Sequence, residues 1–177
     1  MKPKVISTES IYKGKIFEVL LDSIREGKTE YQREIVSHNG SAVIVPVFAD
    51  ETVALVKQYR HAAKKYLWEI PAGSLEKGEN PEEGARRELE EEIGVTCGRI
   101  EKLAEFYVSP GFLSEKMFVF LATNLAETEQ KLEADELIEV KRLTFRKAFE
   151  MIRKSEIEDA KTIIGLILAG AKFGFNL

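Results

Sequence analysis

One cysteine, Cys97, stands in the 177 residues, so no disulfide closes within the chain and no thiolate metal cluster forms from it alone. Two histidines, His38 and His61, are too few for a three-histidine metal site or an HExxH helix. Long hydrophobic runs are missing too. The longest apolar or small stretch, residues 163–171, falls well short of the roughly 20 residues that cross a bilayer, so no membrane partner is expected. The opening MKPKVISTES has two lysines with no apolar stretch behind them, which argues against a secretory signal and for a cytoplasmic protein. No basic block is dense enough to make nucleic acid an expected partner. With 26 basic and 30 acidic side chains, the net charge of −4 disfavours anionic substrates unless local cations or metal ions reverse it.

What is present is an ordinary globular composition, 44% hydrophobic and 32% charged, sized for one domain with a small N-terminal appendage. Strand-like segments at 16–24 and 30–36 flank the turn residues 25–28 and predict a small N-terminal β unit over residues 1–40. Segments 42–48 and 53–59 predict a second hairpin at the head of a main domain, 41–177. Pro46 inside the first of these predicts an edge or a bulge, because proline cannot donate to a ladder. Further strands are predicted at 103–108, 117–122 and near 138–145, and helices at 146–153 and 161–173. The class is α+β rather than a regular βαβ alternation.

The best-punctuated element begins at Asn80, an N-cap, followed by Pro81, with Glu83 three residues after the cap and Gly94 past the end. On a helix, Glu88, Glu91 and Glu92 fall at about 0, −60 and 40 degrees and share one face, beside an apolar stripe of Ala85, Leu89 and Ile93. Two readings fit. Either Arg87 pairs with Glu83 and Glu91 on a solvated, ion-paired face, or the acids form a hard-oxygen site for Mg²⁺ or Mn²⁺.

The spacing of Gly73, Glu79 and the run Arg87-Glu88-Leu89-Glu90-Glu91-Glu92-Ile93-Gly94-Val95 resembles the Nudix box at every defined position. That resemblance implies an α/β/α sandwich with a mixed β-sheet, and a hydrolase of nucleoside diphosphates linked to another moiety. It implies Mg²⁺ or Mn²⁺ bound by Glu88, Glu91 and Glu92 with the Ala72 carbonyl, and Arg87 positioning the glutamates. Glu79 either reaches the metal through water or supports the loop, and Gly73 matches the loop glycine that admits close backbone approach.

Ser109-Pro110-Gly111, with Arg33-Glu-Ile-Val36, Val56-Lys-Gln-Tyr-Arg60 and Trp68-Glu-Ile-Pro-Ala-Gly73, resembles the ADP-ribose pyrophosphatase branch. By that resemblance Arg33 and Arg60 contact the diphosphate, and Pro110 and Gly111 lie at the substrate. Tyr12, Phe17, Tyr31 and Trp68 are the aromatic candidates for stacking on adenine, and Glu69 either accepts from an exocyclic amine or forms a salt bridge. Glu136, then Glu133, match the loop position where relatives carry a catalytic glutamate. The implied reaction is water attack on phosphorus, giving AMP and ribose 5-phosphate from ADP-ribose, in a homodimer with exchanged N-terminal strands. The alternatives are another nucleoside diphosphate sugar, such as GDP-mannose, and a domain that senses ADP-ribose without cleaving it.

Overall fold

The computed structural model describes residues 2–132 and 137–177. In chain order the elements are β1 (Lys4–Lys13), β2 (Glu18–Glu26), β3 (Thr29–Ser37), β4 (Ser41–Pro46), β5 (Thr52–Arg60), β6 (Lys65–Glu69) and β7 (Ala72–Ser74). Helix α1 (Pro81–Ile93), β8 (Val95–Tyr107), β9 (Lys116–Glu127), β10 (Glu139–Thr144), α2 (Phe145–Arg153) and α3 (Ala160–Lys172) complete them. Strands β1-β2-β3 form an antiparallel sheet of their own. A mixed sheet runs β7-β4-β9-β8, with β4 and β9 parallel, and a third sheet runs β10-β5-β6.

Strand β4 explains the layering. Its AVIV run is buried on both faces, as a strand covered on two sides must be. Val43 and Val45 face a core with Leu55, Ile70, Val119, Phe145 and Leu166, under α2 and α3. Ala42 and Ile44 face Leu75, Ala85, Leu89 and Phe120, under α1. The mixed sheet therefore lies between α1 on one side and α2 and α3 on the other, as the α/β/α expectation requires. Among the described residues no helix is long and apolar enough to cross a membrane.

The hairpin expected from segments 42–48 and 53–59 is corrected. The turn is present, with the Phe48 N–H donating to Thr52 O at 2.9 Å, but the two strands share only the Val47–Val53 bridge. Strand β5 then leaves to pair with β6 and β10, because its own apolar face closes the α2 and α3 core. Pro46 sits at the end of a central strand rather than at an edge or bulge. The ladder tolerates it because the Val47 N–H bonds Ala122 O and the Ile44 N–H bonds Pro71 O. By alternation this puts the proline nitrogen on the side where β7 pairing has ended. Strands β1, β6 and β7 were not expected; β1 is exposed throughout and carries no burial alternation to read.

Candidate active site

Helix α1 begins as its sequence dictates. The Asn80 side chain accepts from the Glu82 N–H at 2.9 Å, and Gly94 closes the helix in the left-handed region at φ 64°. Ala85 and Leu89 are fully buried against the mixed sheet, which fixes the rotation of the helix. That rotation draws Glu88 and Glu92 to 8% and 3% exposure at the edge of the core and leaves Glu91 half-buried. Opposite them lies the short strand β7. The Ala72 N–H donates to Glu92 Oε2 at 3.1 Å, and a Cβ on residue 73 would fall inside the Glu88 carboxylate. Glycine at 73 is thus a spatial requirement of the glutamate.

Arg87 organises the cluster. Its Nη1 donates to Glu88 Oε1 at 2.6 Å and to Glu91 Oε2 at 2.8 Å, while its Nε donates to Glu79 Oε1 at 3.1 Å. Glu83 is not its partner, which corrects the four-residue pairing expected on that side; Arg86 instead pairs with Glu82 at 3.0 Å. Glu79 also accepts the Glu76 N–H at 2.8 Å, so it ties the loop to Arg87. The Arg87 hydrogen bond holds the Glu79 carboxyl below its ordinary 4.5. The Glu79 hydrogen bond, with the charge of Glu88 and the hydrogen bonds to Glu88 and Glu91, outweighs burial and keeps Arg87 firmly protonated.

These groups line a cleft of about 760 Å³ that also takes in Arg60, Gln58, Lys161, His38, Ser41, Glu115 and, from the N-terminal unit, Lys15 and Ile16. Arg60 grips Glu69 bidentately, Nε to Oε1 and Nη2 to Oε2, both at 2.7 Å. Glu69 is 1% exposed and Lys161 also donates to its Oε2. Burial pushes the Glu69 carboxyl upward, but the Arg60 hydrogen bonds and the Lys161 charge outweigh it and hold the group below 4.5. A smaller hollow of about 290 Å³ beside the β4–β5 turn has Glu51 as its sole ionisable lining residue and gathers no such chemistry.

The other expected substrate residues lie outside the cleft lining. Arg33 is exposed on β3 with its guanidinium 4.4 Å from the Tyr31 ring centre. Trp68 packs on the core, with Lys57 and Lys141 over its ring at 5.3 and 5.6 Å. Pro110 and Gly111 lie in a turn in which the Leu113 N–H bonds Ser109 O at 3.0 Å. Tyr12 and Phe17 sit 6.0 Å apart on the N-terminal unit. Glu133 and Glu136 lie outside the described residues. Sequence reading missed Lys161 and Glu115; Gln58, two residues before Arg60 on the same strand face, was findable by alternation.

The donor set fits a hard divalent cation. Its side-chain donors are all carboxylates, joined by the Ala72 carbonyl; Arg87 orients Glu88 and Glu91, and the backbone at 73 is cut back to admit the Glu88 carboxylate. Among the described residues the acids are not already drawn into a three-ligand cluster; in this structure the Arg87 guanidinium lies between Glu88 and Glu91.

A cleft at the edge of a mixed sheet, walled by an acidic helix and its glycine loop, defines a class, and comparison with known proteins names it. The NUDIX domain model matches residues 38–164, and the chain belongs to that family. It is 40% identical over 166 residues to the ADP-ribose pyrophosphatase of Bacillus subtilis (strain 168), covering 92% of this chain and 89% of that one. It is 38% identical over 167 residues to the methanol dehydrogenase activator of Bacillus methanolicus, covering 92% and 90%. The crystal structure of an ADP compounds hydrolase superposes with a TM-score of 0.86 at 21% identity, over 98% of this chain and 95% of that one, a likeness of fold.

Proposed function

We propose that the cleft hydrolyses the diphosphate linkage of ADP-ribose, giving AMP and ribose 5-phosphate. The observation that carries this reading is the join of α1 to β7, where Arg87, the Ala72 N–H and the Gly73 gap hold three glutamates at a cleft that also presents Arg60. The B. subtilis relative's name supports the substrate.

Glu88, Glu91 and Glu92, with the Ala72 carbonyl, would hold Mg²⁺ or Mn²⁺. Such an ion, when bound, withdraws charge from phosphoryl oxygens and makes water a stronger nucleophile. The protein's own part is orientation. Arg87 fixes the inner faces of Glu88 and Glu91, the Ala72 N–H fixes Glu92, and Arg60 offers the guanidinium nitrogen that Glu69 does not use to the substrate's diphosphate. Glu136, or else Glu133, takes the proton from the attacking water. The approach to that loop supports this: the Lys131 N–H donates to Glu91 O at 3.1 Å, and the Gln130 side chain donates to Glu92 O at 2.5 Å. The chain therefore leaves for residue 133 from the glutamate end of α1.

The N-terminal unit, residues 1–40, serves dimerisation and substrate contact. Val5, Ile6, Ile11, Tyr12 and Ile16 are between 48% and 64% exposed, an apolar surface that a second copy would cover by exchange of strands. The cytoplasm is the proposed compartment. The test is product analysis: AMP released from ADP-ribose, dependent on divalent metal and lost in Glu92→Gln, supports the reading. Binding without cleavage by the wild-type protein would move it to ADP-ribose sensing.

A further inference from the structure

We infer that Lys161 is a positioning residue for the substrate's diphosphate, acting through Glu69 on Arg60; this rests on the reading of the cleft given above. Lys161 stands in the first turn of α3, 92 residues beyond Glu69, with its side chain 9% exposed. Its ammonium donates to Glu69 Oε2, the same oxygen that accepts from Arg60 Nη2, and to Asp159 Oδ1 at 3.0 Å. One buried carboxylate is thereby shared between two cations. Arg60 is 40% exposed at its side chain and lines the cleft, whereas Glu69 lies behind it at 1%.

Such a carboxylate keeps its place only while its lone pairs are answered, since burying an ion without partners is costly. Arg60 donates to each oxygen, and Lys161, which also lines the cleft, supplies the second donor to Oε2. Removing that donor leaves Oε2 short of a partner, so the carboxylate turns or draws in water, and the fork that aims Arg60 loosens. The charges of the four groups balance, Glu69 and Asp159 against Arg60 and Lys161, so what Lys161 contributes is the placement of Glu69 rather than spare positive charge.

The placement is built into the backbone rather than left to a flexible side chain. Asp159 caps α3 by accepting from the Thr162 N–H at 3.0 Å, and Thr162 Oγ1 accepts the Ile70 N–H at 2.9 Å. The first turn of α3 is thus fastened to the residue next to Glu69. Segment 69–73 is held from one side by α3 and from the other by Glu88 and Glu92 of α1.

The experiment is a double-mutant cycle of Lys161→Met and Arg60→Ala, with Lys161→Arg as the conservative variant. Lys161→Met raises KM for ADP-ribose about tenfold and changes kcat less than about threefold; in the Arg60→Ala background its effect falls below about twofold. Lys161→Arg recovers most of the wild-type KM. An equal factor in both backgrounds, or no change in KM, overturns the inference. A substrate-free readout runs beside it. The Arg60 Nε–H resonance, assigned by its loss in Arg60→Ala, is slowly exchanging in the wild type and loses that protection in Lys161→Met. Unchanged protection in that variant overturns the inference, whereas a wild-type protein inert toward ADP-ribose overturns the reading of the cleft instead.

Discussion

Residue 73 has space for a hydrogen and nothing larger, because the Glu88 carboxylate fills the volume a Cβ would take. Gly73→Ala displaces the end of a flexible side chain rather than the backbone, so its effect falls on the site more than on the fold. We expect kcat to fall about 10²-fold or more, from a displacement of the order of an ångström. The melting temperature changes by only a few degrees. A large loss of stability with kcat retained would contradict this. Glu69 behaves oppositely. Glu69→Ala leaves Lys161 buried without its main counter-charge and costs about 3–5 kcal/mol in urea denaturation. Its depressed pKa also sets a sign: the contribution of Glu69 is complete above its ordinary 4.5 and is lost as pH falls through the lower folded value. The acid limb of stability is therefore shallower in Glu69→Gln than in the wild type. These residues differ in how they could be read. The acids of α1 share a face by local spacing, so Glu88, Glu91, Glu92 and Arg87 were legible from the chain alone. Lys161 reaches Glu69 only through tertiary folding, and no local pattern marks it.

At the scale of elements, α1 is the part whose start, stop and buried face follow directly from composition. Its N-cap is a single hydrogen bond from the Glu82 N–H to Asn80, so Asn80→Ala costs about 1 kcal/mol, measured as a shift in denaturation midpoint at constant slope. A shift with altered slope would place the effect elsewhere. Helices α2 and α3 were legible within a residue or so because their apolar faces recur at helical spacing. Strand partnership was harder. Segments 42–48 and 53–59 both read as strands, yet the sheet each joins depends on which core its side chains fill. Strand β7, three residues long, is defined by pairing with Ser41, Ala42 and Val43 rather than by any pattern of its own. That short strand carries Ala72 and Gly73, so the element most concerned with holding the glutamates is among the least visible in sequence.

The whole molecule combines a Nudix domain, built as an α1, mixed sheet and α2/α3 sandwich, with an N-terminal antiparallel sheet that leaves several apolar side chains exposed. Covering them is the work proposed for a second copy. Sedimentation equilibrium is expected to give twice the 20.0 kDa chain mass, and Ile11→Asp, 57% exposed in one chain, to shift the protein toward monomer. A monomeric wild type would contradict the exchanged-strand arrangement while leaving the cleft as described. The negative overall charge poses a question that the cleft itself answers. Arg60 and Lys161 line the same cleft as the α1 acids, so an anionic substrate meets local cations in a molecule whose net charge is −4. Whether these acids support cleavage of a diphosphate is decided by chromatographic product analysis of ADP-ribose with wild-type protein and Glu92→Gln, with and without Mg²⁺. AMP and ribose 5-phosphate are expected from the wild type only when metal is present, with a large loss in Glu92→Gln. AMP release that survives either the substitution or the removal of metal would contradict that role of the acids.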